Sequence, residues 1–253
     1  MISFAKYHGA GNDFVLIDAR QVSLQWETLA PRLCERKTGI GADGFLLLLP
    51  SSKADFRMRI FNADGSEPAM CGNGIRCMVD FIHTLEQVPA TLHIETLAGV
   101  FTCTRTEGEV AVNLGVPKIL HWPIALPQAK AFVVDTGVPH AVVFVDDIEK
   151  TDVATEGRAL RFHEAFAPHG VNVNFASITS DKITVRTYER GVEGETVSCG
   201  TGCAAVAFVA KEFLKINGPI SVSSMQFSFD NGQIHMLGPV YRVFDGMIFN
   251  SLC

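Results

Sequence analysis

A short pattern, C-G-x-G followed by an apolar segment, occurs twice in this chain of 253 residues. The first copy begins at Cys71 and the second at Cys199, about half the chain length further on. Each copy follows an alternating segment that ends at a glycine turn, over residues 57–65 and 184–191. One such match would mean little, but two matches in the same context indicate that the chain contains a duplicated unit.

Each copy is predicted to be a helix that begins at its cysteine. Apolar residues recur at helical spacing at Ile75, Met78, Val79, Ile82 and Leu85, and they predict one buried stripe on the first helix. The first backbone N–H groups of a helix lack partners within it, and the positive end of the helix dipole favours a thiolate there. Such a position can lower a thiol pKa from about 8.5 to roughly 3.5–7.5.

The remaining segments predict a mixed fold. Short alternating or apolar segments, typical of strands, fill most of each half around its one central helix. We expect an α/β (α+β) protein with two pseudo-symmetric domains, each a curved, mostly antiparallel sheet wrapped around a central helix. The proline-rich segment 116–127 marks the crossover. The predicted domains are residues 1–116, completed by a C-terminal strand at about 240–253, and residues 117–239, with the active site in the cleft between them.

The composition argues against several classes of function. The formal net charge is −6 and no run of lysine and arginine occurs, so the sequence predicts no nucleic-acid surface. No apolar run approaches the roughly 20 residues that span a bilayer, and the N-terminus has no signal-peptide core. We therefore expect a cytoplasmic protein with no membrane partner. Its seven cysteines, an odd number, are then expected to be reduced thiols.

Two such cysteines, facing each other across a cleft, are suited to two-base epimerisation. A thiolate would remove a proton from one face of a carbon atom, and a thiol would deliver a proton to the other face. The N–H groups at the helix ends would hold a substrate carboxylate and stabilise the charge that develops at that carbon. The pattern therefore favours a catalytic role for Cys71 and Cys199.

Two other interpretations of the cysteines are weighed against this one. A cysteine outside a disulfide is most often a small buried residue, and we interpret Cys77 and Cys203, inside the helices, in this way. A structural zinc site usually has two cysteines separated by roughly two to four residues, together with a second such group. Only Cys199 and Cys203 have that spacing, so no metal site is predicted.

Several longer motifs resemble those of the diaminopimelate epimerase family and cover nearly the whole chain. They are K-x-H-G-x-G-N-D-F at 6–14, G-x-G-x-D at 39–43, F-N-A-D-G-S-E at 61–67, M-C-G-N-G-x-R at 70–76, N-V-N-F at 172–175, and Y-E-R-G with C-G-T-G within 188–202. The resemblance implies an isomerase of lysine and peptidoglycan-precursor synthesis that converts LL-diaminopimelate to meso-diaminopimelate. It also implies that the enzyme needs no pyridoxal phosphate or other cofactor and forms a homodimer.

The resemblance also assigns roles to individual residues. Cys71 and Cys199 would be the acid and base and would exchange roles with the direction of reaction. His140 and Glu189 would bind the reacting amino group and help to tune the thiols. Arg190 would pair with the distal carboxylate. The full set expected to bind substrate is Asn12, Asn62, Gly72, Asn73, Asn172, Arg190, Gly200 and Thr201.

The chain departs from the family pattern at three places. Val138 stands where the family often has asparagine, in a G-N-P-H turn, and Gly44 stands where some members have glutamine. The segment 188–199 carries one extra residue, around Glu193. Because the first two departures could remove polar contacts to the far end of the substrate, we expect relaxed distal recognition, with racemisation of a shorter acidic amino acid such as glutamate or aspartate.

Two alternative functions stay open at this level. The chain could be a racemase of another amino acid, of the glutamate/aspartate or the proline type, although proline racemases typically have histidine where Asn73 stands. From a different class, it could be a non-catalytic thiol module that binds metal or takes part in redox chemistry. Bound zinc after purification, or unchanged function after alkylation of Cys71 and Cys199, would favour the second alternative.

Overall fold

The structure is a computed structural model that describes residues 1–126, 129–179, 182–196 and 199–249. The helices within these ranges are α1 (Trp26–Cys34), α2 (Gly72–Leu85), α3 (Val153–Arg161), α4 (Gly200–Leu214) and a short 3₁₀ helix (Glu164–Phe166). The chain divides into two compact units. The N-terminal unit comprises Met1–Val112 and the segment from Gly238 onward, and the C-terminal unit comprises Asn113–Leu237.

Strands make up most of both units. The first seven are β1 (Ile2–Gly9), β2 (Asn12–Asp18), β3 (Gly44–Leu49), β4 (Phe56–Asn62), β5 (Thr91–Thr96), β6 (Gly99–Thr106) and β7 (Glu109–Asn113). The others are β8 (Lys118–Ala125), β9 (Lys130–Asp135), β10 (Pro139–Phe144), β11 (Asn172–Ile178), β12 (Ile183–Glu189), β13 (Gly194–Thr196), β14 (Ile220–Val222), β15 (Met225–Asp230) and β16 (Gln233–Ile248). The last strand contributes residues to both units.

The same order of strand pairings occurs in the two units. In the N-terminal unit β2 is antiparallel to β1, β3 is parallel to β2, β4 is antiparallel to β3, and β5, which follows α2, is parallel to β4. In the C-terminal unit β10, β11, β12 and β14 repeat these relations after β9, and α4 precedes β14. The predicted mixed, mostly antiparallel and pseudo-symmetric fold is confirmed.

Helix α2 is the central helix of the N-terminal unit and packs against β1, β2, β3, β4 and β6. On β2, Val15 and Ile17 belong to the core cluster that also holds α1, and the alternate residues Phe14 and Leu16 are buried as well. A strand that is buried on both faces has a nearly continuous apolar sequence. This explains why the sequence of β2 shows no polar alternation.

Helix α4 has the corresponding place in the C-terminal unit, against β9, β10, β11, β14 and β15. Most of its residues between Gly202 and Ala210 are buried, as expected for a helix that is apolar on nearly all sides. Helix α3 packs against β11, β12 and β13. The helix α4 begins directly after Cys199.

One expectation differs from the structure, and one strand was not predicted. Leu85 was expected in the buried stripe of α2, but it is the last residue of that helix and its side chain is exposed. Within the proline-rich segment, residues 118–125 form the strand β8, which was not predicted and which pairs with β9. Its register shifts between Ile119 and Ile124, on the stretch that includes Pro123. Proline is tolerated in a strand at a sheet edge because it lacks the N–H of the ladder, and β8 is such a strand.

Across the described ranges, no helix combines the length and apolar character that crossing a membrane requires.

Candidate functional site

Cys71 is the N-cap residue of α2, as predicted. Its backbone is extended, with φ −139° and ψ 119°, and its carbonyl oxygen accepts the first helical bond, from Ile75 N, at 2.9 Å. Its Sγ accepts a hydrogen bond from the backbone N of Gly74 at 3.4 Å. The sulfur therefore satisfies one of the donors that a helix N-terminus leaves without an intrahelical partner, and it lies at the positive end of the helix dipole.

Asn12 and Asn73 lie beside this sulfur. The Oδ1 of Asn12 accepts from Nδ2 of Asn73 at 3.4 Å and is 3.9 Å from Sγ of Cys71. The Nδ2 of Asn12 donates to Oδ2 of Asp43 at 2.9 Å. A carboxylate only accepts, so Asp43 fixes the orientation of the Asn12 amide and directs its oxygen towards the cysteine.

Asp43, the hydrogen-bond partner of Asn12, belongs to a network of charged side chains. Arg36 bridges the carboxylates of Asp13 and Asp43, and the buried Lys6 pairs with Asp13 at 2.6 Å. Burial alone would raise the pKa of the Asp13 carboxyl, but hydrogen bonds from Arg36 and Lys6 outweigh it and hold that pKa well below its usual range. Lys6 also donates to the carbonyl of Gly41. The network joins the motifs at 6–14 and 39–43, which are distant in sequence.

Arg76 holds the Asn73 side chain from the other side. Its guanidinium is fully buried and donates from Nη2 to Oδ1 of Asn73 at 2.9 Å. Two glycines leave room for it. A methyl group on Gly238 would lie 3.1 Å from Cζ of Arg76, and one on Gly9 would lie 3.4 Å from Nη2. The arginine of the M-C-G-N-G-x-R motif is thus a buried support for the first turn of α2.

Asn62 lies at the same end of the strands as Asn12, but its side chain forms a hydrogen bond within its own turn and not with Cys71 or Asn73. Gly44 pairs with Asn62 on one side and with Phe14 on the other, which places Asn62 and Asn12 at corresponding ends of their strands. The Nδ2 of Asn62 donates to Oγ of Ser66 at 2.9 Å, in an exposed turn. The structure therefore brings together Cys71, Gly72, Asn73 and Asn12, with Asn62 on the adjoining turn.

Cys199 is the N-cap residue of α4. Its backbone is extended, with φ −122° and ψ 100°, and its carbonyl oxygen accepts from Cys203 N at 2.9 Å. Its Sγ lies 3.6 Å from Oγ1 of Thr201, in the first turn. Gly200 and Thr201 thus have the positions relative to Cys199 that Gly72 and Asn73 have relative to Cys71.

His140 lies behind Thr201 and is fully buried. Its Nε2 is 3.0 Å from Oγ1 of Thr201, and its Nδ1 is 3.0 Å from Nδ2 of Asn174. Burial, reinforced by the positive charge of Arg190, lowers the pKa of His140 to about 3. The imidazole is therefore neutral near pH 7, and both ring nitrogens are already engaged within the protein.

Asn172, Glu189 and Arg190 lie at the same end of the sheet as His140, which is opposite Asn172 in the register. The Asn172 amide accepts from the backbone N of Arg190 at 2.8 Å and donates to the carbonyl of Pro139 at 3.2 Å. It thereby connects the ends of β10 and β12. Among the described residues, the Glu189 carboxylate has no hydrogen-bond or ion-pair partner.

The motif reasoning missed Asn174, Thr187 and Thr136. Asn174 is fully buried, and its Oδ1 accepts from the hydroxyl of Thr187, across the strand pair, at 3.0 Å. The hydroxyl of Thr136 donates to the carbonyl of Thr201 at 2.8 Å. A signal was present, because Asn174 is two residues from Asn172 in the same strand and so points to the same face.

The other described cysteines are buried: Cys34, Cys77, Cys103 and Cys203. Burial raises the pKa of Cys34 to about 11 and that of Cys103 to about 12, and it also raises the pKa of Cys77. These thiols are therefore unreactive at neutral pH. In the part of the chain that the structure describes, no three His, Cys, Asp or Glu side chains come together as a metal site requires.

The three departures from the family pattern have clear positions. Val138 is in the β9–β10 turn, where its carbonyl accepts from Thr136 N at 3.3 Å. A Cβ at Gly44 would lie 3.1 Å from the ring of Phe14, so this backbone leaves little room for a side chain there. Glu193 is in the β12–β13 turn, has φ 55°, and accepts from Gly191 N at 3.0 Å.

Comparison with known proteins agrees with the motifs. The sequence model of the family described as "Diaminopimelate epimerase" matches residues 4–120 and 132–235. The diaminopimelate epimerase of Archaeoglobus fulgidus is 42% identical, with 98% of this chain and 96% of that protein covered. The diaminopimelate epimerase of Aquifex aeolicus is 40% identical, with 98% of each chain covered.

A solved structure shows the same fold at much lower identity. A phenazine biosynthesis protein of the PhzF family from Bacillus anthracis superimposes with a TM-score of 0.73 at 17% identity, with 98% of this chain and 99% of that chain covered. At this identity the match establishes the fold alone. The family-model match and the relatives of about 40% identity, each over nearly the full length, show that the chain belongs to the diaminopimelate epimerase family.

Proposed function

We propose that the protein is an isomerase that converts LL-diaminopimelate to meso-diaminopimelate without a cofactor, with Cys71 and Cys199 as the two acid–base groups. The observation that carries this proposal is that each cysteine is the N-cap residue of a buried helix whose next residues are Gly-x-Gly. Each unit thus supplies a sulfur and a set of backbone donors at the end of a helix.

The reaction requires that the two cysteines act on opposite faces of one carbon. The thiolate of one takes the α-proton, the electron pair of the C–H bond stays on the carbon, and the thiol of the other delivers its proton to the opposite face. The configuration inverts, and the two cysteines exchange protonation states. The N–H groups after Cys71 and after Cys199 would hold the carboxylate and stabilise the charge that develops next to it.

The remaining site residues would bind and orient the substrate. Arg190 would pair with the distal carboxylate, since a guanidinium matches a carboxylate in shape and charge. Glu189 would receive the ammonium group at the reacting carbon. Asn12 and Asn62 would bind polar groups of the substrate from the N-terminal unit. Asn172 would act by holding the backbone of Arg190.

The same proposal includes a cytoplasmic homodimer that acts in lysine and peptidoglycan-precursor synthesis. The later part of β16 exposes four large apolar side chains: Tyr241, Val243, Phe244 and Met247. Apolar surface of this kind is typical of interfaces between chains, which supports self-association. Light scattering of the purified protein tests it, because a monomer at micromolar concentration would contradict the homodimer.

The test of the reaction is α-proton exchange in D₂O, followed by NMR under reducing conditions without added cofactor. LL-Diaminopimelate, L-glutamate, L-aspartate and L-proline are offered to the wild type, Cys71→Ala and Cys199→Ala. We expect exchange and inversion of diaminopimelate by the wild type and loss of inversion in both variants. Absence of exchange with every amino acid would contradict the proposal and favour a thiol module that binds metal or takes part in redox chemistry.

A second candidate, relaxed recognition at the far end of the substrate, is supported by Val138. The residue is in the turn whose Thr136 is bonded to the first turn of α4, and valine offers no polar atom there. Exchange of glutamate or aspartate in addition to diaminopimelate would support it. Exchange of proline alone would instead support a racemase of the proline type.

A further inference from the structure

We propose that Asn174 is a positioning residue for Cys199: acting through the ring of His140, it directs the hydroxyl proton of Thr201 towards the sulfur. This inference rests on the function proposed above, in which Cys199 is one of the two acid–base groups. The four side chains form a series of hydrogen bonds within the C-terminal unit, and the series begins in the core of that unit, at a fully buried residue.

The Asn174 amide has one orientation that satisfies its neighbours. Its Nδ2 is 3.0 Å from Nδ1 of His140 and 3.4 Å from the carbonyl oxygen of Ala141. A carbonyl oxygen only accepts hydrogen bonds, so the amide nitrogen has to be on that side. The Oδ1 on the other side accepts from the hydroxyl of Thr187 at 3.0 Å. Because the group is fully buried, leaving either atom unpaired would be costly.

The orientation of this amide sets the tautomer of His140. Since Nδ1 accepts from Asn174, the single ring proton of the neutral imidazole is on Nε2. Nε2–H then donates to Oγ1 of Thr201, at 3.0 Å. Burial and the charge of Arg190 keep the ring neutral, so neither the tautomer nor its direction of donation changes near pH 7.

The Thr201 hydroxyl can then donate to Cys199. Its oxygen already accepts from His140, and its one hydrogen is available to Sγ, which is 3.6 Å from Oγ1. A donor aimed at the sulfur stabilises the thiolate relative to the thiol. Each of the first three side chains therefore donates to the next, from Asn174 to His140 to Thr201, and the sulfur of Cys199 is the final acceptor.

Gly202 gives this series the space that it needs. A Cβ at position 202 would lie 2.1 Å from Oδ1 of Asn174 and 3.2 Å from Sγ of Cys199. The second glycine of C-G-T-G is thus where α4 passes directly over the Asn174 amide. The N-terminal unit has a different arrangement at the corresponding cysteine, where the oxygen of Asn12 rather than a hydroxyl is near Sγ of Cys71.

The test is the pH dependence of the rate at which iodoacetamide alkylates each cysteine, mapped by mass spectrometry. The variants are Asn174→Leu, Thr201→Val, Thr201→Ser and the double variant Asn174→Leu/Thr201→Val. We expect Thr201→Val and Asn174→Leu to lower the rate at Cys199 by about tenfold near neutral pH and to move its profile up by about one unit. Cys71 serves as the internal control, with an unchanged rate.

Two comparisons separate positioning from a merely structural role. Thr201→Ser keeps a hydroxyl and should retain the wild-type profile. The double variant should show no further change beyond Thr201→Val, because without that hydroxyl Asn174 has nothing to act through. Additive effects in the double variant would overturn the proposal.

NMR of the wild type labelled with ¹⁵N-histidine measures the tautomer directly, without the Asn174 and Thr201 variants. The resonance that disappears in His140→Gln should be that of a neutral ring with its proton on Nε2. A proton on Nδ1, or an unchanged Cys199 profile in folded Thr201→Val, would overturn the proposal. Failure of the proposed function would look different, because the wild type would then exchange no α-proton whatever the profile of Cys199.

Discussion

The hydroxyl of Thr136 donates a hydrogen bond of 2.8 Å to the carbonyl oxygen of Thr201. This bond fastens the β9–β10 turn to the first turn of α4, directly after Cys199. Val138 is carried by the same turn and is bonded to Thr136 through the backbone. The side chain at position 138 is therefore held in a fixed position relative to Cys199.

We expect Val138→Asn to favour diaminopimelate over glutamate. The new amide would restore a polar contact at the far end of the substrate, and one hydrogen bond to a charged group contributes about 1.5–3 kcal/mol. The ratio of kcat/KM for the two amino acids should rise by about tenfold or more. Val116→Asn, at an exposed position of the same unit, is the matched control. An unchanged ratio in Val138→Asn would refute the idea of relaxed distal recognition.

Gly202→Ala should destabilise the protein even though alanine is the better helix former. The added Cβ would lie 2.1 Å from Oδ1 of Asn174, and displacing this buried amide costs about 1–3 kcal/mol or more. That exceeds the gain of roughly 1 kcal/mol from helix propensity. Urea unfolding measures the difference. Gly194→Ala is the control, because a Cβ there meets nothing within 4 Å; equal stability of the two variants would contradict the prediction.

His140 should make the protein less stable as the pH falls below neutrality. In the unfolded chain a histidine binds its proton at about pH 6.5, whereas burial lowers the pKa of folded His140 to about 3. Between these values the unfolded state binds more protons, so the free energy of unfolding falls as the pH falls.

The measurement is the free energy of unfolding of the wild type and of His140→Gln at pH 7 and pH 5. The wild type should lose more stability over this interval than the variant does. The depressed pKa of Asp13 acts only below about pH 4, where an unfolded aspartate titrates, and does not interfere. Parallel changes in the two proteins would show that His140 is protonated normally in the folded state.

Cys71 and Cys199 should be the cysteines that react first among those described. Both are half-buried, and the other four are buried. Burial also raises the pKa of three of those four. Brief treatment with iodoacetamide at neutral pH, followed by peptide mapping, should label positions 71 and 199. Labelling of Cys34 or Cys103 before unfolding would contradict the burial on which the prediction depends, and treatment in urea provides the control for complete reaction.

The sequence predicts those parts of the site that depend on neighbouring residues along the chain. The C-G-x-G pattern, with apolar residues at helical spacing, contains all that is needed to place Cys71 and Cys199 at helix N-termini. The repeated context was sufficient to predict the duplication. The helix starts can be predicted because capping and amphipathic packing are determined by residues within one or two turns.

The supports of the site depend on strand pairing and could not be predicted in this way. Asn174 meets His140 and Thr187 only because β11 lies between β10 and β12. Asn12 is hydrogen-bonded to Asp43, which belongs to a separate motif. The strand at 118–125 was missed because proline argues against a strand unless the strand is at an edge. Leu85 fits the helical spacing, yet the helix ends at that residue.

The pairing of β1 with the later part of β16, from Ile2 with Ile248 to Gly9 with Val240, has a consequence for synthesis on the ribosome. β1 is translated long before the later part of β16. Until that part of β16 has been synthesised, one edge of β1 has no partner and is open to incorrect association. The C-terminal unit, Asn113–Leu237, is continuous in sequence and fully synthesised earlier. The half that is translated second is therefore the first that can complete its fold.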